Sequence, residues 1–142
     1  MPPGIFYALV ATIAFGLWTV FHQRAASKID YLLGAIIVSL TAVILGSIIL
    51  LPRIKSAVSS LNPKGILFAA LAGVCALVID FFALKAYGSG LSVSIAGPVI
   101  IGGSIAIAAI IGFLMGESMT IVKALGLVFV IVGAGILAAF GK

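Results

Sequence analysis

The sequence predicts an all-α protein that spans a membrane, and three observations carry that prediction. Of the 142 residues, 64% are hydrophobic and only 8% are charged, with a mean hydropathy of +1.45. The apolar residues fall in runs close to the roughly 20 residues that a helix needs to cross hydrocarbon. Those runs are continuous and do not alternate every second residue, which disfavours a closed β-barrel. A soluble domain of this size exposes too large a fraction of its surface to hide such a composition. The length accommodates five crossings, with no soluble domain and no long linker.

The first span covers residues 4–23 and is closed by Arg24 and Lys28. Its start, MPPGIFYALV, lacks the basic segment of a cleavable signal peptide, so it reads as a membrane span. The second span, 31–51, contains no charge, and Pro52 ends it. A polar loop is expected next, with Arg53, Lys55, Ser59, Ser60, Asn62, Pro63 and Lys64. The third span covers 65–87, and Gly88-Ser89-Gly90 supplies the backbone freedom for a tight turn. The fourth, 91–115, contains Pro98 and a dense set of glycines, and the fifth covers 123–140.

An odd number of spans puts the two chain ends on opposite sides. The side of the N-terminus then holds Arg53, Lys55, Lys64 and Lys123, and the other side holds Arg24, Lys28, Lys85 and Lys142. Four cations against four removes the excess that normally fixes orientation. A weakly biased single topology fits that count, and so does dual topology with antiparallel pairing. The net charge of +5 suits loops lying on anionic head groups. The cations are scattered between spans and form no patch, which excludes a nucleic-acid reading. Cys75 is the single cysteine, so there is no disulfide framework and no cysteine metal site.

The chain has three acidic residues, Asp30, Asp80 and Glu117, of which only Asp80 falls well inside a span. A carboxylate at the bilayer centre costs roughly 2.5–3.5 kcal/mol on insertion scales, so Asp80 is expected to face a bundle interior or a wet cavity. At helical spacing, Thr12, Phe15, Trp18, Thr19 and His22 share a face of the first span. Gly73, Asp80, Leu84 and Tyr87 share one on the third, and Ser94, Gly97, Ile101 and Ser104 form one on the fourth beside Pro98. The first, third and fourth spans are expected to line a cavity, with the second and fifth facing lipid or a partner. His22 and Asp80 lie toward the same membrane side and can meet as an acid–imidazole pair that handles protons. His22 as an interfacial histidine and Asp80 as an ion-pair partner of Lys85 or Arg24 remain open. Trp18 and Tyr87 read as ligand-facing or as interfacial anchors. Pro98, beside Gly97, Gly102 and Gly103, reads as a hinge or as close helix packing. Gly112 and Gly116 form a GxxxG which, with Gly126 and Gly133, is assigned to helix contact and a dimer seam. There is no P-loop, nucleophile–base arrangement or metal cluster, so neither an enzyme nor a cofactor is expected.

Two segments, LKAYGSGLSVSIAGPV (84–99) and FLMGESMTIVKALGLVFVIVGAGILA (113–138), resemble an EamA domain of the drug/metabolite transporter superfamily. The start FYALVATIAFGLWTVFHQRA is similar to that domain's first helix, with Gly16, Trp18 and a basic exit. The resemblance covers nearly the whole chain and implies that Glu117 is a structural loop residue. Members commonly carry two inverted five-helix halves in one chain. A single half therefore implies an antiparallel homodimer, or a partner chain, in a prokaryotic cytoplasmic membrane. The first span has no glutamate of the kind that related small multidrug exporters place there, which leaves Asp80 as the candidate carboxylate. The expectation is a secondary transporter, an exporter of a small metabolite or organic cation, with Asp80 at its site and His22, Trp18, Thr19, Tyr87, Ser94, Pro98 and Ser104 around it. The alternative is a non-transporting membrane subunit of a second protein.

Overall fold

The computed structural model describes residues 3–141; Met1, Pro2 and Lys142, one of the cations assigned to the far side, lie outside them. The described residues form helices α1 (Pro3–Ala26), α2 (Tyr31–Leu50), α3 (Ile54–Ser59), α4 (Pro63–Gly88), α5 (Val93–Leu114) and α6 (Ile121–Phe140), with a 3-10 turn, Leu51–Arg53, before α3. Five helices are long and apolar enough to cross a membrane, the second being α2 continued through α3. In hydrocarbon the backbone has no water to bond, so each spanning segment must satisfy its own amides and carbonyls, and a helix does this.

The helix ends show why the chain turns where it does. Asp30 Oδ1 accepts the amides of Leu32 and Leu33 at 3.0 Å each, capping α2. Asn62 Oδ1 accepts the Lys64 amide at 2.9 Å at the start of α4, and Thr120 Oγ1 accepts the Lys123 amide at 3.3 Å at the start of α6. After α4 the chain reverses through Gly90, at φ +98°. After α5, Glu117 N–H donates to the Gly112 carbonyl and Gly116 N–H to the Phe113 carbonyl, both at 3.0 Å. With Gly116 at φ +92°, this is a Schellman ending. Gly116 therefore terminates α5 instead of lying on its packing face, which corrects the GxxxG reading. The segment read as a polar loop after Pro52 contains the short helix α3. Its serines explain the difference: Ser56, Ser59 and Ser60 hydroxyls donate to the carbonyls of Arg53, Ser56 and Ala57, each at 2.9 Å.

In space, α2 packs on α4, α4 on α1, and α5 touches both α1 and α4, while α6 rests on α5. Buried residues gather at one end of the bundle. They are Thr19, His22 and Ala26 late in α1, Gly34 and Ala35 early in α2, Asp80, Ala83, Leu84 and Tyr87 late in α4, and Ala96, Gly97 and Gly102 in the first half of α5. At the opposite end the apolar side chains are exposed. The accessible surface is 10596 Å², against about 6,800 Å² for a compact soluble chain of this mass. The bundle is thus an open arrangement whose excess apolar area faces lipid or another protein.

Small residues set the close crossings. A Cβ on Gly34 would stand 2.7 Å from Leu84 Cδ1, which brings α2 against α4, and one on Gly88 would collide with the Tyr31 ring. A Cβ on Gly102 would stand 2.6 Å from the Ala134 Cβ, so Gly102 seats α6 on α5. Gly102→Val should therefore destabilise the fold by about 1–3 kcal/mol, read as a lower melting temperature in detergent. Gly103→Val, with open space beyond its Cα, should leave that temperature unchanged.

Candidate functional site

Asp80 lies two turns before the end of α4, where that helix faces α1. It is 6% exposed, although most residues of these helices are open to their surroundings. Trp18 Nε1–H donates to Asp80 Oδ1 at 3.2 Å, and His22 Nε2 lies 3.2 Å from the same oxygen. Neither Lys85 nor Arg24 reaches Asp80 among the described residues, and the basic side chain within 4 Å of it there is His22. Spacing explains the cluster: positions 15, 18, 19 and 22 fall on one face of α1. The rings stack along that face, with Phe15 and Trp18 centroids 5.0 Å apart and Trp18 and His22 centroids 3.9 Å apart.

The proton arrangement follows from the bonds. His22 Nδ1 lies 3.1 Å from the Trp18 carbonyl oxygen, which can only accept, so Nδ1 carries hydrogen. Nε2 is then the nitrogen turned toward Asp80. Asp80 Oδ1 is within ion-pair distance of it but off the line of a ring N–H, so no aligned hydrogen bond forms. A bare Nε2 lone pair held against a carboxylate oxygen would be repulsive. The pair therefore sets side by side two groups that can each take up a proton.

Asp80 lines none of the larger grooves, but its neighbours on α1 do. Thr19, 5% exposed, borders a groove of about 390 Å³ with Ser94, Gly97, Pro98, Ile101 and Gly133. Ile101 continues it into a second groove of about 350 Å³ along Thr12, Phe15 and Gly16. His22 borders a third, of about 170 Å³, with Phe21, Gly34, Ile37 and Leu84. The walls are apolar apart from the hydroxyls of Thr12, Thr19 and Ser94 and the His22 ring. Pro98 has no N–H, so the Ser94 carbonyl one turn earlier lacks its helical partner at the edge of the first groove.

The structure brings Asp80, Trp18 and His22 together and sets Thr19, Ser94 and Pro98 around the adjoining groove. Tyr87 is 5% exposed and packs in the core with Ala83, Leu84 and Ala96; its hydroxyl is enclosed without a partner. Ser104 stands apart: it is exposed, and its hydroxyl donates to the Ile101 carbonyl of its own helix at 2.8 Å. The expectation that α2 and α6 stay outside the cavity is corrected. Gly34 and Ile37 of α2 wall the His22 groove, and Gly133, Ala134 and Leu137 of α6 wall the Thr19 groove. Sequence spacing missed these residues because both helices are apolar all round; the small residues at Gly34 and Ala134 were the only signal of close approach. Of the seam glycines, Gly112 is covered by the Glu117 carboxylate, whereas Gly126 and Gly133 have open space beyond their Cα atoms.

Neither a curated protein nor a solved structure matches the chain. A family model described as the EamA-like transporter family matches residues 2–139. Five apolar helices covered almost end to end by that match make this chain a member of the EamA-like transporter family, a membrane transporter with the span number of one half of a drug/metabolite transporter fold.

Proposed function

We propose that this chain is a secondary transporter that exports small metabolites or organic cations by alternating access, as an antiparallel, dual-topology homodimer. Asp80 lies at its substrate and proton site, and the dimer sits in a prokaryotic cytoplasmic membrane. One observation carries the reading: a carboxylate enclosed within a bundle of apolar spans, bonded by Trp18 and facing a histidine. A purely structural tie between α1 and α4 could be made from neutral groups at lower desolvation cost. An acid kept there can trade a proton for a cationic cargo group, and a cation beside Oδ1 would take the place of that proton. The Thr19–Pro98 groove gives the cargo an apolar approach to this point.

A second, inverted copy would supply the other set of five helices. Inverted repeats that meet around a midplane site are a common basis of alternating access, and this chain supplies five spans. The four-against-four cation count permits insertion both ways, and the large exposed apolar surface leaves area for a second copy. Asp80 stands about 6 Å from the midplane at 1.5 Å per residue, so two inverted copies would bracket the centre with their carboxylates. Gly126 and Gly133 of α6 are the open small positions for the contact between copies.

Asp80→Asn should keep the Trp18 hydrogen bond and the dimer but abolish proton-driven uptake into inverted vesicles. Full transport by this variant would remove Asp80 from the mechanism, and no transport by the reconstituted wild-type chain alone would favour the subunit alternative. Orientation is tested with single cysteines at Ser60 or Ser89 on a Cys75→Ser background. An impermeant maleimide added to intact cells should label about half of the copies at either position. Lys64→Gln with Lys123→Gln, which leaves two cations against four, should shift that ratio strongly to one side; labelling confined to one position in the parent chain would rule out dual topology.

A further inference from the structure

We infer that the connector between α2 and α4 is an amphipathic interfacial anchor that binds anionic phospholipid. Helix α2 has 20 residues, about 30 Å, which already crosses the hydrocarbon. The connector beyond its last turn is therefore not needed for the crossing and is free to lie at the membrane surface. There Arg53 leaves the helical region at φ −126° and ψ 20°, after Pro52, and the chain turns into α3. Leu51, Ile54, Val58 and Leu61 are 63%, 45%, 58% and 60% exposed. Ile54 and Val58, four residues apart, share one face of α3, and Leu51 and Leu61 flank that stripe in the chain. Ser56, Ser59 and Ser60 point elsewhere, and their hydroxyls already bond the local carbonyls. The segment thus presents one apolar stripe and needs little water on its other faces, as an interfacial helix does.

Three cations flank the stripe. Arg53, Lys55 and Lys64 are exposed, and none of them has a carboxylate partner among the described residues. Lys64 also stands in the first turn of α4, a 26-residue helix with no acidic residue there. That is the positive end of the helix dipole, where a cation is disfavoured and an anion welcome. Three unpaired cations beside an apolar stripe, one of them against a helix N-terminus, match a layer of phosphate head groups over acyl chains. Among the described residues the opposite bundle end lacks this combination: Arg24, Lys28 and Lys85 there are spread over the exit of α1 and the last turn of α4, next to the helix-capping Asp30.

The test uses the full chain in nanodiscs of equal phosphatidylcholine and phosphatidylglycerol, with the lipids retained after extraction counted by native mass spectrometry. The wild type should retain phosphatidylglycerol over phosphatidylcholine by about tenfold or more, since each cation near an anionic surface is worth roughly a fivefold change. Combined Arg53→Gln, Lys55→Gln and Lys64→Gln should bring the ratio near one. Combined Arg24→Gln, Lys28→Gln and Lys85→Gln, the same loss of charge at the other end, should leave it close to the wild-type value. In the wild type the preference should also fall as salt rises from about 0.05 to 0.5 M. A preference kept by the connector variant, lost equally in both variants, or unaffected by salt overturns the assignment.

Discussion

Asp80 is costly to place between apolar helices, and much of this architecture accommodates it. The carboxylate cannot sit on a lipid-facing surface without a penalty of a few kcal/mol, so α4 must turn that face toward a neighbour with donors. Helix α1 is the neighbour with both an indole N–H and an imidazole in reach. The Asp80 contact fixes the rotation of both helices about their axes. Leu84 and Tyr87, one and two turns further along α4, are then carried into the core, and Leu84 in turn meets Gly34 of α2. One polar requirement therefore orders three of the five spans.

The two outer contacts rest on shape instead. Association of helices in lipid gains little from burying apolar surface, because acyl chains solvate leucine as well as a protein core does. Backbone must approach backbone, and Gly34, Gly88 and Gly102 allow that. The α5–α6 pair depends wholly on this kind of fit, with Gly102 set against Ala134 and no described polar side-chain bond between the two helices.

The class of fold, the span number and the burial of Asp80 were legible because lipid imposes simple rules: length, hydropathy and the rarity of an internal charge. The Asp80–His22 meeting stayed open in the sequence: α1 and α4 run in the same direction and place both residues toward one end, but the same spacing suits an interfacial histidine. What could not be read was the pairing of the apolar helices. Neither α2 nor α6 has a polar stripe to mark its inner face, so their walls on the grooves near His22 and Thr19 went unseen. Gly116 was misread because spacing cannot separate a glycine that packs a helix from one that ends it; only its positive φ does. Ser104 shares a face with Gly97 and Ile101 yet bonds to its own helix, a local option open to any helical serine. Helix α3 escaped notice because its serines, set between Pro52 and Pro63, look like a loop until their hydroxyls are seen to fold back onto the backbone.

Because the tight contacts of α1, α2 and α4 are gathered at one rim of the bundle, these helices behave as rods pinned near one end. Separating their far ends breaks almost no buried contact, whereas separating the near ends would expose the carboxylate. A tilt of about 10° in a rod of about 30 Å moves its free end by about 5 Å. Small adjustments at the pinned rim are thus geared up into large displacements at the opposite membrane face.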